Sequence, residues 1–415
     1  MLPLCFLAIF VTVLHAAEKP RFRTDADGPV LATEKPRNPK QSKAGEKPDW
    51  YPLVDGEFPP AGSEHAISGE LIFVDHLDRT LRIRVDRGDN QERGVFDRPL
   101  YAALLPYASL RYHGQPAALQ DVPLGTHLHG SFYLKNPKEK TPPHPGPFDK
   151  GLPIESEFQR CFQLEDDFSF YARKKQVWRI EGVDYTTLKL TASLHNQGSD
   201  GKLQPEAGAP RTFDLQTRTR VFKGTGFAEL KALEPGQLVL FNLTWATLYG
   251  AGRITDIWLD EESRNAAAVR QLEVHRNYMR ERGLPGWVTA VDDARQLVTV
   301  TFFSGVDPSL FDELNVKDPN APLPKDGTPP PAEPIGRLAV ARDSLMTYDP
   351  VNDSKRGSVL ELKKVPVEPG SSGFQIHLRM DMMLEGYRPG RVVRFYAPAW
   401  KVLALPKEEE FSGRE

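Results

Sequence analysis

The chain has 415 residues, of which 40% are hydrophobic and 26% charged, a composition typical of soluble globular proteins. Its length predicts about two to four domains. The formal net charge is -3 at pH 7, so the sequence lacks the basic excess that holds a phosphate backbone, which argues against a nucleic-acid partner.

The N-terminus has the pattern of a secretory signal. Residues 2–14 are apolar, and small residues follow them before the charged residue Glu18. No Lys or Arg precedes the apolar run, and a buried N-terminal element is the alternative interpretation. Because the run is shorter than the ~20 apolar residues of a membrane span, we predict a signal peptide over residues 1–17 and no transmembrane span after its cleavage.

Residues 18–64 are rich in Pro and in charged residues and contain few large apolar side chains. This composition predicts a disordered tether, with residues 50–53 docking on the first folded module. Cysteine occurs at Cys5 and Cys161, so cleavage of the signal leaves Cys161 without a partner for an internal disulfide. We expect Cys161 to behave as a small buried apolar side chain.

From about residue 67 the sequence contains three copies of one pattern. Each copy opens with a β-prone run that ends in Val-Asp and resumes, after a polar turn, with alternating apolar residues, as in a β-hairpin. The recurrent aspartate is expected to bond to the backbone of its own turn, because three equivalent catalytic carboxylates in one chain are unusual. The opening runs cover residues 69–75, 178–184 and 286–292.

A second signature follows in each copy. Apolar residues recur at intervals of three and are followed by a glycine, which predicts one helical turn ended by a residue of positive φ, just before a strand. The signature covers residues 119–125, 230–236 and 384–390. Each module is then expected to close with a return strand, at residues 161–164, 253–259 and 400–405.

The first two return strands end in acidic triplets, at residues 165–167 and 260–262. These triplets are interpreted as helix caps, with Ca²⁺ binding as the alternative. The clearer linker helix is predicted over residues 263–282. It is expected to bury one face, made of Ala268, Val269, Leu272, Arg276 and Met279.

The predicted fold is therefore all-β with short helices, in three consecutive small OB- or SH3-like barrel modules joined by helical linkers. The modules are assigned to residues 65–176, 177–283 and 284–410, and the third contains a long Pro-rich insertion at residues 304–335. The two signatures together resemble the OB-like repeat modules of uncharacterised exported bacterial proteins. The resemblance covers most of residues 67–405 and implies architecture only.

One candidate site stands out. His127 and His129 are two residues apart on a predicted strand, so both side chains should point to one face, as in metal-binding His-x-His pairs. His113 precedes them by one strand and is a candidate third ligand. Ordinary strand histidines are the alternative, because the sequence places no obvious carboxylate beside the pair.

No phosphate-binding glycine loop, nucleophile elbow, zincin motif or paired Cys-x-x-Cys occurs in the sequence. The sequence thus favours a non-enzymatic binding or scaffold protein without a cofactor, exported to the bacterial periplasm or beyond, with a protein or glycan partner in the envelope. The alternative is a metal-dependent hydrolase that uses His127 and His129.

Overall fold

The computed structural model describes residues 53–54, 56–86, 99–133, 160–198, 201–244, 252–314, 334–342, 345–346, 349–407 and 409. The predicted signal peptide and most of the predicted tether lie outside this part of the chain. The described chain is mostly β-structure in three consecutive barrel-like sheets with short helices, which confirms the predicted fold class. Among its helices, none combines the length and the apolar character needed to cross a membrane.

Module 1 contains β1 (His65–Asp75), β2 (Thr80–Val85), β3 (Leu100–Tyr112), β4 (Gln115–Ala117), β5 (His127–Tyr133) and β6 (Arg160–Asp166). The sheet runs in the order β2-β1-β5-β6-β3-β4, and pairing of β2 with β3 closes it into a barrel. The long strand β3 pairs antiparallel with β2 and parallel with β6. Cys161 is buried in the core of this barrel, as predicted.

Module 2 contains β7 (Gln176–Asp184), β8 (Lys189–Gln197), β9 (Leu203–Pro205), β10 (Arg211–Asp214), β11 (Arg220–Lys223), β12 (Gly226–Ala228), β13 (Leu238–Leu243) and β14 (Ile254–Trp258). Two short strands take the place of β3, because β10 pairs with β8 while β11 pairs parallel with β14. The barrel is therefore partial, and an isolated bridge between Asp214 and Arg253 spans its gap. Strand β14 confirms the predicted return strand.

Module 3 contains β15 (Leu284–Asp292), β16 (Leu297–Phe303), β17 (Ile335–Arg342), β18 (Leu345–Met346), β19 (Lys355–Lys364), β20 (Ser371–Met380) and β21 (Val392–Tyr396). Pairing of β17 with β21 closes this barrel. The return strand predicted at residues 400–405 is wrong, because those residues form no strand and β17 lies beside β21 instead. The closing strand thus comes from the segment between β16 and β20.

The insertion predicted at residues 304–335 contains a 3-10 helix, Pro308–Leu314. Leu310, Phe311 and Leu314 of this helix are buried in the core of module 3. Phe311 and Leu314 are three residues apart and therefore lie on one face of the helix.

The threefold repeat is visible in individual hydrogen bonds. In each module a glycine of positive φ ends the helical turn and donates its N–H to a carbonyl of the first strand. The turn itself begins with a leucine whose carbonyl accepts from the residue three positions later, so the predicted equivalence of Leu119, Leu230 and Leu384 is confirmed. The glycine bonds are Gly125 to Leu71 at 2.7 Å, Gly236 to Ile180 at 2.7 Å and Gly390 to Val288 at 2.9 Å.

The recurrent aspartates have the structural role predicted for them. Asp75 accepts from the backbone N–H of Leu77, and Asp184 accepts from that of Thr186. Asp292 accepts from the N–H of Arg295. All three therefore stabilise hairpin turns.

The described helices are α1 (Asp167–Arg173), α2 (Glu261–Arg282) and α3 (Pro350–Asp353), besides short 3-10 turns. Asp166 caps α1 and Asp260 caps α2, which confirms the capping role of the acidic triplets. The predicted apolar face of α2 is only partly right, because Met279 is buried as predicted, whereas Val269 is 64% exposed and the polar residues Gln271 and His275 are buried instead.

Polar side chains of α2 form hydrogen bonds and an ion pair with two modules. Gln271 donates to Asp121 Oδ2 of module 1, and Arg280 pairs with Glu313 of module 3.

Modules 1 and 3 also contact each other through an aromatic cluster, which we call the aromatic junction. Phe58 and Tyr107 come from the first part of the chain, and Trp287 and Phe303 from module 3. Leu53, within the segment predicted as a tether, is buried in the same cluster. Module 1 also contacts module 2, through hydrogen bonds between α1 and β13.

Candidate metal centre

Two histidines and one aspartate meet at the end of module 1. His127 and His129 lie on β5, where the two-residue period of a strand turns both side chains to one side. Asp167 is the first residue of α1, directly after β6, and β6 pairs with β5. The pairing of Leu128 with Asp166 brings the start of α1 beside the two histidines.

Both histidines contact the same carboxylate oxygen of Asp167. His127 Nδ1 lies 2.8 Å from Asp167 Oδ1, and His129 Nε2 lies 3.0 Å from the same atom. One ligand atom from each residue lies within 4.8 Å of those of the others, a spacing that suits a single metal ion. His127 and Asp167 are buried, and His129 is partly exposed.

Each of the three side chains has a second partner on its other side. His127 Nε2 lies 2.7 Å from Asp86 Oδ2, and His129 Nδ1 lies 3.0 Å from Ser68 Oγ. Asp167 Oδ2 accepts from the backbone N–H of Leu243 at 2.9 Å. Metal-binding histidines generally have such a partner on the other ring nitrogen, because it fixes the tautomer and the ring orientation.

The electrostatics of the cluster permit two states. Burial opposes protonation of His127, but the Asp167 and Asp86 carboxylates raise the pKa of His127 well above its usual range. Burial alone would raise the pKa of Asp167, whereas the charge of His127 and the hydrogen bonds from both histidines lower it. Without a metal ion His127 is therefore a cation between two carboxylates; with one, a neutral His127 would keep its proton on Nε2.

The carboxylate of Asp86, on the other side of His127, is incompletely hydrogen-bonded. Its Oδ1 atom is buried and has no hydrogen-bond partner within the described part of the chain. A buried carboxylate oxygen normally has a partner, but Asp86 contacts the Nε2 side of His127, opposite the Nδ1 atom that faces Asp167, so Asp86 Oδ1 lies outside the proposed ligand set.

The structure does not bring His113 to this group. The ring of His113 stacks on Tyr112 and packs edge-on against Trp258, with ring centroids 3.8 Å and 4.9 Å away. Burial lowers the pKa of His113 to about 3, so the ring is neutral. Its neighbours are those of a packed aromatic side chain.

Asp167 and Asp86 are the site residues that sequence reasoning missed. The sequence signal for Asp167 was the acidic triplet after the strand that pairs with β5, but its pattern equally fits a helix cap. Both roles occur side by side, because Asp166 caps α1 while Asp167 faces the histidines. Burial raises the pKa of Asp166 to about 6.

The equivalent positions of the other two modules carry no such group. Leu240 of module 2, which corresponds to His129, is buried in the apolar core. Arg394 of module 3 is buried and donates to the carbonyl of Gly283. Within the described residues the histidine cluster is thus a feature of module 1.

The sequence matches no family model and no curated protein. Among solved structures, one that resembles the chain is a copper(II) form of a CusF tryptophan-to-alanine variant from Escherichia coli. The alignment covers 21% of this chain and 90% of that one, with 13% identity and a TM-score of 0.14. A similarity of this size supports no conclusion about fold or function.

Proposed function

We propose that the protein is an exported, non-enzymatic binding protein of the bacterial envelope whose module 1 binds one divalent transition-metal ion. His127, His129 and Asp167 are the proposed ligands. The observation that carries the proposal is the convergence of two imidazole nitrogens on one carboxylate oxygen. The other nitrogen of each ring contacts a second polar side chain, which fixes the orientation of the ring.

The ligand set indicates the class of metal. Imidazole nitrogen suits zinc, copper, nickel and iron, whereas calcium and magnesium prefer sites made wholly of oxygen. Two histidines and one carboxylate are a frequent zinc set, with the fourth position left to water or another group. Zinc is therefore the ion to test first.

Hydrolysis is the second candidate, because three protein ligands with one open position are the pattern of catalytic zinc sites. The burial of the cluster favours binding instead. Asp167 is 0% exposed and His127 is 4% exposed, which leaves little room for a substrate beside the metal position.

Metal analysis of protein purified without a histidine tag tests the proposal. We expect about one zinc ion per chain, lost in the double variant His127→Ala/His129→Ala. His195→Ala is the matched control, because His195 is a buried strand histidine of module 2 outside the cluster. Absence of zinc binding by the folded wild-type protein would refute the metal site, and zinc-dependent ester or phosphoester hydrolysis would replace binding by catalysis.

The proposed partner is a protein or a glycan of the envelope. A cleft of about 670 Å³ between modules 1 and 3 is the best candidate surface, and its walls include Tyr107, Trp287 and Arg391. Pull-down from envelope fractions and glycan-array screening of the mature chain test this part. Recovery of the protein in the cytoplasmic fraction, or no partner above background, would count against it.

A further inference from the structure

We infer that the metal site also stabilises the junction between modules 1 and 2, so that metal binding and module docking strengthen each other. The inference rests on the proposed metal binding and deepens it. Its basis is the position of Asp167, whose Oδ1 faces the two histidines of module 1 while its Oδ2 accepts from the Leu243 N–H of module 2.

Three consecutive residues of module 2 form this junction. The side-chain oxygen of Asn242 accepts from the N–H of Phe168, and its amide group donates to Asp166 Oδ2, both at 2.8 Å. Leu243 binds Asp167, and Thr244 donates to Glu70 Oε1 at 3.0 Å. We call this set, residues 242–244 with their partners, the module 1–2 junction.

The junction and the ion require the same arrangement of Asp167. Because Asp167 is 0% exposed, its carboxylate cannot turn towards water without opening the contact between the modules. An ion held by His127 and His129 keeps Oδ1 in place, and Oδ2 then remains on the Leu243 amide. Coupling between two sites is reciprocal, so a weaker junction must also bind the ion less tightly.

Amide hydrogen exchange of the full-length protein, with and without Zn²⁺, tests the first half of the inference. We expect Zn²⁺ to slow exchange of the peptide that covers residues 238–244, although it contains no ligand. A module 3 peptide that covers residues 297–303 is the internal control and should be unchanged. If the protein binds zinc but the 238–244 peptide exchanges at the same rate with and without it, the inference is overturned.

Zinc affinity of junction variants tests the second half. Asn242→Ala and the milder Thr244→Val leave all three ligands in place and are expected to weaken zinc binding by about fivefold or more, within the usual range of coupling between sites. Asn196→Ala is the matched control, because Asn196 bonds to Gln176 within module 2 and lies outside the junction. If Asn242→Ala fails to fold, Thr244→Val decides.

The two proposals fail in different ways. A wild-type protein that binds no zinc refutes the metal site. If the Thr244→Val variant binds zinc as tightly as the wild type does, the coupling is refuted and the metal site is not.

Discussion

The Nε2 atom of His127 lies 2.7 Å from the Oδ2 atom of Asp86, the residue directly after β2. This contact fixes the orientation of the ring, because it holds one nitrogen of His127 on Asp86 and leaves the other directed at Asp167. Asp86 thus acts on the proposed metal through His127 and is a positioning residue.

Asp86→Asn is therefore expected to weaken zinc binding by about 10- to 100-fold, the usual effect of substituting the residue that bonds to a metal-binding histidine. The amide keeps the shape of the carboxylate but lacks its charge. Titration with Zn²⁺ against a chelator of known affinity measures the change. Asp75→Asn is the control, since Asp75 serves a turn of the same module, and equal affinities of the two variants would contradict the positioning role.

The glycine that ends each helical turn allows a second prediction. Gly236 has a φ of 90°, and a Cβ added there would meet nothing within 4 Å. Gly236→Ala should therefore cost about 1–2 kcal/mol in the free energy of unfolding, from backbone strain alone. Chemical denaturation measures the cost.

Gly226 is the matched control in the same module, because it has equally open surroundings but no positive φ. Gly226→Ala should change the free energy of unfolding by less than about 0.5 kcal/mol. Equal effects of the two substitutions would show that the φ of Gly236 is unimportant for stability.

These glycines also show why so much of the fold could be predicted. A glycine that must adopt positive φ, and an aspartate that closes a turn, are local requirements, so they recur in the sequence wherever the unit recurs. The same regularity made the equivalence of Leu119, Leu230 and Leu384 predictable from the sequence. Local signals likewise placed α2 and its cap at Asp260.

Contacts between residues far apart in the chain leave no such local signal in the sequence. Residues 400–405 are largely apolar, as a buried strand can be, but β17 occupies the position beside β21, and nothing local in the sequence reveals that exchange. The carboxylate beside His127 comes from a helix start 40 residues later in the chain. The sequence therefore predicted the histidine pair and missed both aspartates that complete the site.

His275 on α2 provides a prediction about pH. Its ring is 1% exposed, and its Nε2 accepts from the backbone N–H of Asp307. Burial lowers the pKa of His275 to about 4, the Asp307 carboxylate opposes this shift, and Arg276 adds to it. Protonation would also remove the acceptor, so the folded protein holds His275 neutral.

Because this pKa lies below that of the unfolded chain, the unfolded chain takes up the proton first as the pH falls. The stabilisation is complete above pH ~6.5 and is lost as the pH falls towards about 4. We expect the wild type to lose about 1–3 kcal/mol more than His275→Gln over this interval, measured by denaturation at each pH. The exposed His76→Gln is the control, and parallel pH profiles of wild type and His275→Gln would contradict the prediction.

The aromatic junction makes a prediction about how the modules are held together. The ring of Trp287 stacks on Phe58 with centroids 4.6 Å apart and meets the edge of Tyr107 at 5.1 Å. Trp287 is 5% exposed, so Trp287→Ala should cost about 3–5 kcal/mol in the free energy of unfolding. Phe227→Ala, at a side chain that is 75% exposed, should cost less than about 0.5 kcal/mol.

A double-mutant cycle separates the contact between modules from the loss of buried area. If Trp287 and Tyr107 attract each other across the junction, the double variant Trp287→Ala/Tyr107→Ala should be less destabilised than the sum of the single variants by about 0.5–1.5 kcal/mol, the usual size of an edge-to-face pair. Additive effects would contradict a direct attraction between these two rings. The contact between modules 1 and 3 would then depend on the other pairs of the same cluster, such as Trp287 with Phe58 and Tyr107 with Phe303, and on α2, which bonds to both modules.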